Sequence, residues 1–227
     1  MMAFDGGTMG SSAFAEALSR LKQRGSALLV VGNVAPEVHQ LACRHFMGDP
    51  SMCRQRLFVT TDGFATDVQS SIVDRSQHEN HVIDYVTNCR STSEYPDGDS
   101  TMVSYTTATS STELISEIIN TIKSIERDVE PLSPGELRVC IDSLSTVIES
   151  SNRDVPLRLV RYTALATRRR NGMMHVHLPV ARDSELASLF EPLVDAVVEL
   201  RVADGIPQQR WHLTDAAIPS DWTSLNE

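Results

Sequence analysis

Apolar residues along this chain fall into two spacings, one helical and one strand-like, and their alternation sets out the elements. Phe14, Ala17, Leu18 and Leu21 recur at helical intervals, which predicts a helix over about 13–24 closed by Gly25. Ala27 to Gly32 (ALLVVG) is a continuous apolar run of strand length ending on glycine. Pro36 suits the first turn of a second helix, which carries Val38, Leu41, Ala42 and Phe46 on one side and ends at Gly48-Asp49-Pro50. Further strands are expected at Arg56–Thr60, His81–Val86 and Thr101–Tyr105, with a short helix near 64–72. The polar stretch Ser91–Ser100, which contains Pro96-Asp97-Gly98, reads as a loop.

The second half repeats the alternation. Leu114, Ile115, Ile118, Ile119, Ile122 and Ile125 form the apolar face of a helix over about 111–127. Pro131, Pro134 and Gly135 then interrupt the chain before a buried strand, Leu137 to Ile141, that ends in Asp142. Helices near 144–151 and 155–170, a strand Met173–Leu178 and a helix near 183–192 follow. Ala196–Val202 and Gln208–Leu213, joined through Asp204-Gly205, read as a hairpin. Short apolar strands alternating with helices predict an α/β fold: a mostly parallel sheet with helices on both faces and a C-terminal antiparallel hairpin. The organisation expected is a flexible start (1–12), one domain (13–213) and a C-terminal tail (214–227).

Composition narrows the class. The 227 residues suit one domain with a real core, and 41% hydrophobic content is ordinary for a globular chain. No apolar run reaches membrane-spanning length and the start lacks signal-peptide features, so a cytoplasmic protein without membrane insertion is expected. A net charge of −10 argues against a nucleic-acid binder. Only two of its twenty bases are lysines, Lys22 and Lys123, and both fall inside predicted helices. Acid excess with scarce lysine fits a salt-adapted surface, and GC-rich coding also depletes lysine. The four cysteines (Cys43, Cys53, Cys89, Cys140) lack C-x-x-C spacing and read as free thiols in a reducing compartment.

Four segments, ALSRLKQRGSALLVVG, RLFVTTDG, GELRVCIDSL and EPLVDAVVELRVADGIPQQRWHL, carry a resemblance spread over roughly 13–213. With the order of elements, they resemble the RecA-like ATPases, particularly the KaiC-like branch in archaea. More narrowly they are similar to a haloarchaeal, transducer-like family of RecA-superfamily proteins of unassigned function. The resemblance implies that Asp142 stands where a Walker B aspartate would hold magnesium. It also implies that Asp62, in Thr61-Asp62, falls where such enzymes carry the acid that activates water. The phosphate loop departs from the pattern. Where G-x-x-x-x-G-K-[ST] would cradle phosphates in backbone N–H groups, this chain reads Gly32-Asn33-Val34-Ala35-Pro36-Glu37-Val38-His39. The second glycine is Glu37, the lysine is Val38 and the magnesium-binding hydroxyl is His39. Phosphoryl transfer depends on positioning and charge stabilisation, and an acid at this place opposes both.

The expectation is therefore a non-catalytic regulatory or signalling protein that binds a protein partner or itself, with no cofactor. The alternative is an atypical nucleotide-binding protein or ATPase that uses Gly32, Asn33, Asp62 and Asp142 around Mg-ATP. Other residues carry paired readings. Asp142 is either a metal ligand or a helix cap acting through Ser143 and Leu144. His39, Cys43 and His45 share a helix, and the i,i+4 pair His39/Cys43 has metal-ligand spacing, although a partly buried helix explains it equally. His175 and His177 point to one sheet face, as a zinc pair or as packed histidines. Arg168-Arg169-Arg170 complements a helix C-terminus or contacts phosphate. Arg210 and Trp211 lie on a strand that suits a subunit interface or internal packing.

Overall fold

The computed structural model describes residues 8–63, 66–73, 80–86, 103–129, 131–214 and 219–225. The loop expected at 91–100 and Cys89 lie outside them. The helices are α1 (Thr8–Arg24), α2 (Pro36–Met47), α3 (Thr66–Val73), α4 (Ser111–Asp128), α5 (Ser145–Ser150), α6 (Asp154–Arg168) and α7 (Glu185–Phe190). The strands are β1 (Ser26–Val31), β2 (Gln55–Thr60), β3 (Asn80–Tyr85), β4 (Val103–Ala108), β5 (Leu137–Ile141), β6 (Met173–Leu178), β7 (Ala196–Ala203), β8 (Ile206–Leu213) and β9 (Thr223–Ser224).

They form one nine-stranded sheet in the order β4-β3-β2-β5-β6-β1-β7-β8-β9. Every pair from β4 to β7 is parallel, and β7-β8-β9 pair antiparallel. The α/β expectation with a terminal hairpin is thus met. Strand four runs Val103–Ala108, a little later than its apolar pattern suggested.

Parallel strands covered on both faces alternate between two cores. On one face Leu29, Val31, Leu57, Val139, Ile141, Met174, Val176 and Leu178 pack under α4, α5, α6 and α7. Leu114, Ile118, Ile122 and Ile125 supply the stripe of α4. Its N-cap Ser110 accepts from the Glu113 N–H, while the Glu113 carboxylate accepts from the Thr109 N–H, which fixes where the helix starts.

The other face is divided. Leu28, Val30, Val38, Ala42, Phe46, Val198 and Leu200 form one apolar cluster with α1 and part of α2. Cys43, Met47, Phe58, Val68, Ile72, Val82 and Cys140 form a second with α3. Three buried histidines, His39, His175 and His177, lie on this same face beside Cys43 and Cys140.

Candidate functional site

The strand order brings the ends of β1, β6, β5 and β2 side by side, and the two sequence-predicted acids sit there. Only Gly32, Asn33, Val34 and Ala35 separate β1 from α2. Gly32 is buried, donates its N–H to the Val180 carbonyl at 2.9 Å, and offers its own carbonyl to His39 Nε2 at 3.0 Å. A Cβ at this position would meet the Leu200 carbonyl oxygen at 2.6 Å, so glycine is required here by close packing of β1 against β7. Asn33 and Glu37 are exposed.

Asp142 is fully buried, yet it does not cap the following helix: α5 has no side-chain cap at Leu144. Its Oδ1 accepts from the Thr61 N–H and lies 2.7 Å from Thr61 Oγ1, and its Oδ2 accepts from the Gly63 N–H at 2.8 Å. The carboxylate therefore fastens the turn after β2 to the end of β5. The local capping role through Ser143 and Leu144 is corrected by this long-range one. Burial raises its pKa to about 6, against the pull of these hydrogen bonds, and the neighbouring Asp62 adds to the rise. The Thr61 hydroxyl also lies 2.6 Å from the Ser143 carbonyl. Its single hydrogen is shared between that oxygen and Asp142 Oδ1. Asp62 itself is exposed.

Beneath α2 lies a second constellation. Cys43 Sγ and Cys140 Sγ are 3.2 Å apart, and His175 Nε2 is 3.5 Å from Cys43 Sγ. One donor atom from each of Cys43, Cys140, His175 and His177 falls within 4.8 Å of every other, and all four residues are buried. The fold explains the convergence. Cys140 and His175 are register partners on adjacent strands β5 and β6, and period-two alternation puts His177 on the same face. α2 covers that face with Cys43 and, one turn earlier, His39.

His39 Nδ1 is 3.1 Å from His177 Nδ1. The Gly32 carbonyl only accepts, so His39 carries its hydrogen on Nε2 and accepts at Nδ1; His177 then donates from Nδ1. This leaves His177 Nε2 with a lone pair. Burial lowers both pKa values, that of His177 to about 4, so both rings are neutral. Of the two thiols Cys43 is the more acidic. The Cys140 hydrogen bond and the two imidazoles hold it down, whereas burial pushes Cys140 up.

The structure thus joins the i,i+4 pair on α2 to the β6 pair through Cys140, a residue whose strand position offered no ligand signal. His45 is exposed and takes no part. Arg210 pairs with Glu199 at 2.9 Å and its guanidinium lies 4.5 Å from the Trp222 ring centre. Trp211 packs edge-on against Phe46. Arg168 pairs with Asp195 at 2.7 Å and Arg170 with Glu126, while Arg169 is exposed. Two further arginines went unread in the sequence: buried Arg56 and Arg138 donate to the Asp49 and Phe46 carbonyls and hold the C-terminal end of α2.

The fold and these residues define a mostly parallel α/β protein with a buried cysteine–histidine cluster and no glycine-rich phosphate loop after β1. The chain belongs to a family of unknown function, DUF7504, whose profile matches residues 25–200. That span runs from the start of β1 into β7 and includes every cluster residue. No curated protein matches the sequence.

Proposed function

We propose that this chain is a non-catalytic RecA/KaiC-like regulatory or signalling protein that has lost its phosphate-binding loop and acts through a protein partner or self-association. The observation that carries this reading is the state of Asp142. Its two oxygens are committed to Thr61 and Gly63 in a site without solvent exposure, so it buttresses a turn where a Walker B acid would face water and magnesium. The β1–α2 connection supports the same reading. It is short, its Gly32 is wedged against Leu200, and Glu37 stands in the first turn of α2, where a triphosphate would need cations. Two exposed apolar pairs suit a partner: Tyr162 with Leu165 on α6, and Val202 with Ile206 at the β7–β8 tip.

The competing reading, a nucleotide-binding protein or ATPase using Asp62 and Asp142, needs the Thr61–Gly63 turn to open. Calorimetric titration and thermal shift with millimolar Mg-ATP decide between them. No heat and no change in Tm are expected. Saturable stabilisation, or phosphate release above background, would overturn the pseudo-enzyme reading.

A further inference from the structure

We propose that Cys43, Cys140, His175 and His177 form a closed structural zinc site, and that His39 is a positioning residue for His177. Zinc in a Cys2His2 site is tetrahedral, with bonds of about 2.3 Å to sulfur and about 2.0 Å to nitrogen, so its donors lie roughly 3.3–3.8 Å apart. The 3.2 Å sulfur–sulfur and 3.5 Å nitrogen–sulfur separations are close to those edges, and all four donors lie within 4.8 Å. Two thiols and two imidazoles are a borderline-soft set suited to zinc. Four protein ligands leave no open position for substrate, which assigns a structural role.

Charge supports the assignment independently. Binding takes Zn2+ and two thiols to a zinc dithiolate, with two protons released to solvent. Two thiolates cancel the metal charge and two neutral imidazoles add none, so the finished centre is neutral, as a buried site requires. A bare disulfide between Cys43 and Cys140 would leave both histidines buried without this use.

The outer shell is also built. Gly32 carbonyl, His39 and His177 form a relay that fixes the His177 hydrogen on Nδ1, so the ring's lone pair for a metal lies on Nε2. His39 occupies the place of the magnesium-binding hydroxyl in the phosphate-loop pattern. The same helix start would then serve a different metal, one turn deeper in the protein.

The test uses the full chain, purified under reducing conditions without a histidine tag. Elemental analysis should find one zinc per chain. Replacement with cobalt should give the visible d–d bands of a tetrahedral ion with sulfur-to-cobalt charge transfer, and zinc uptake by the apoprotein should release protons as thiols become thiolates. Cys43→Ala and His175→Ala should abolish the sulfur-ligated tetrahedral spectrum. His39→Ala should keep the spectrum but weaken metal affinity about 10- to 100-fold. His39→Gln, whose amide can accept from His177 and donate to Gly32, should restore it. If the ligand variants fail to fold, metal content and cobalt spectra of the wild-type chain still decide. A folded wild-type chain that binds neither zinc nor cobalt, or a native Cys43–Cys140 disulfide, would overturn the proposal. Nucleotide plays no part in these readouts, so the zinc site stands or falls separately from the pseudo-enzyme reading.

Discussion

At the scale of single residues, buried polar groups here hold distant chain segments together. Asp142 shows this most plainly, because its partners Thr61 and Gly63 lie some eighty positions away in sequence. Asp142→Asn keeps an acceptor for Thr61 but turns an amide N–H toward the Gly63 N–H. Leaving that donor unsatisfied costs about 1–3 kcal/mol. The expected result is a lower urea midpoint with an unchanged slope, since the same surface is exposed on unfolding. Stability equal to wild type would mean that the turn does not depend on the carboxylate. Gly32 makes a second case. A methyl group there runs into the Leu200 backbone, which has nowhere to move within a paired strand. Gly32→Ala should therefore destabilise by roughly 1–3 kcal/mol, as overpacking does; a denaturant titration reads this directly.

At the scale of elements, the hairpin β7–β8 is held on its outer face by a cluster of ionic and aromatic contacts. Arg210 and His212 both reach Glu199, at 2.9 and 2.8 Å, and Trp222 covers Arg201 and Arg210 from the following segment. Burial pushes the Glu199 carboxyl up, but the Arg210 and His212 hydrogen bonds outweigh it and hold it below the usual range. A lowered folded pKa means that this stabilisation is complete above the ordinary glutamate range, near pH 4.5, and is lost as pH falls through the folded value. Partial exposure limits it to about 1 kcal/mol or less. Glu199→Gln should thus be less stable than wild type at pH 7, with the gap closing toward pH 3. A gap independent of pH would rule out the ionic contribution. Trp222→Ala should cost about 1 kcal/mol through the lost cation–π stacking. The segment 219–225 is part of this element rather than a loose tail: β9 pairs with β8, and Leu225 is buried.

Sequence patterns were informative wherever contacts were local. Alternation placed His175 and His177 on one face, helical spacing paired His39 with Cys43, and the apolar run before Asp142 marked β5. Strand adjacency is non-local, so nothing in the residues around Cys140 told that β6 lies beside β5 or that α2 covers both. Each half of the cluster therefore read as ordinary packing. The same limit applied to Asp142, whose carboxylate serves β2 instead of its own helix.

At the scale of the whole molecule, charge and topology act on different things. The apolar faces of the sheet and its helices set the fold, while the net charge of −10 acts on the compact state as self-repulsion. Among the described residues no helix is long and apolar enough to cross a membrane. Many arginines are already committed: Arg168, Arg170, Arg182 and Arg210 each pair with an acid inside the chain. The acid excess is then carried by carboxylates without such partners, and salt should relieve their repulsion. The Debye length shortens from about 10 Å at 0.1 M to about 3 Å at 1 M, so screening has a characteristic shape. Tm should rise steeply over the first few tenths molar sodium chloride and then flatten. A continued linear rise into the molar range would instead indicate solute exclusion from the surface. A Tm that does not respond to salt would show that the carboxylates are spread widely enough to avoid one another, and would remove the physical ground for reading this surface as adapted to salt.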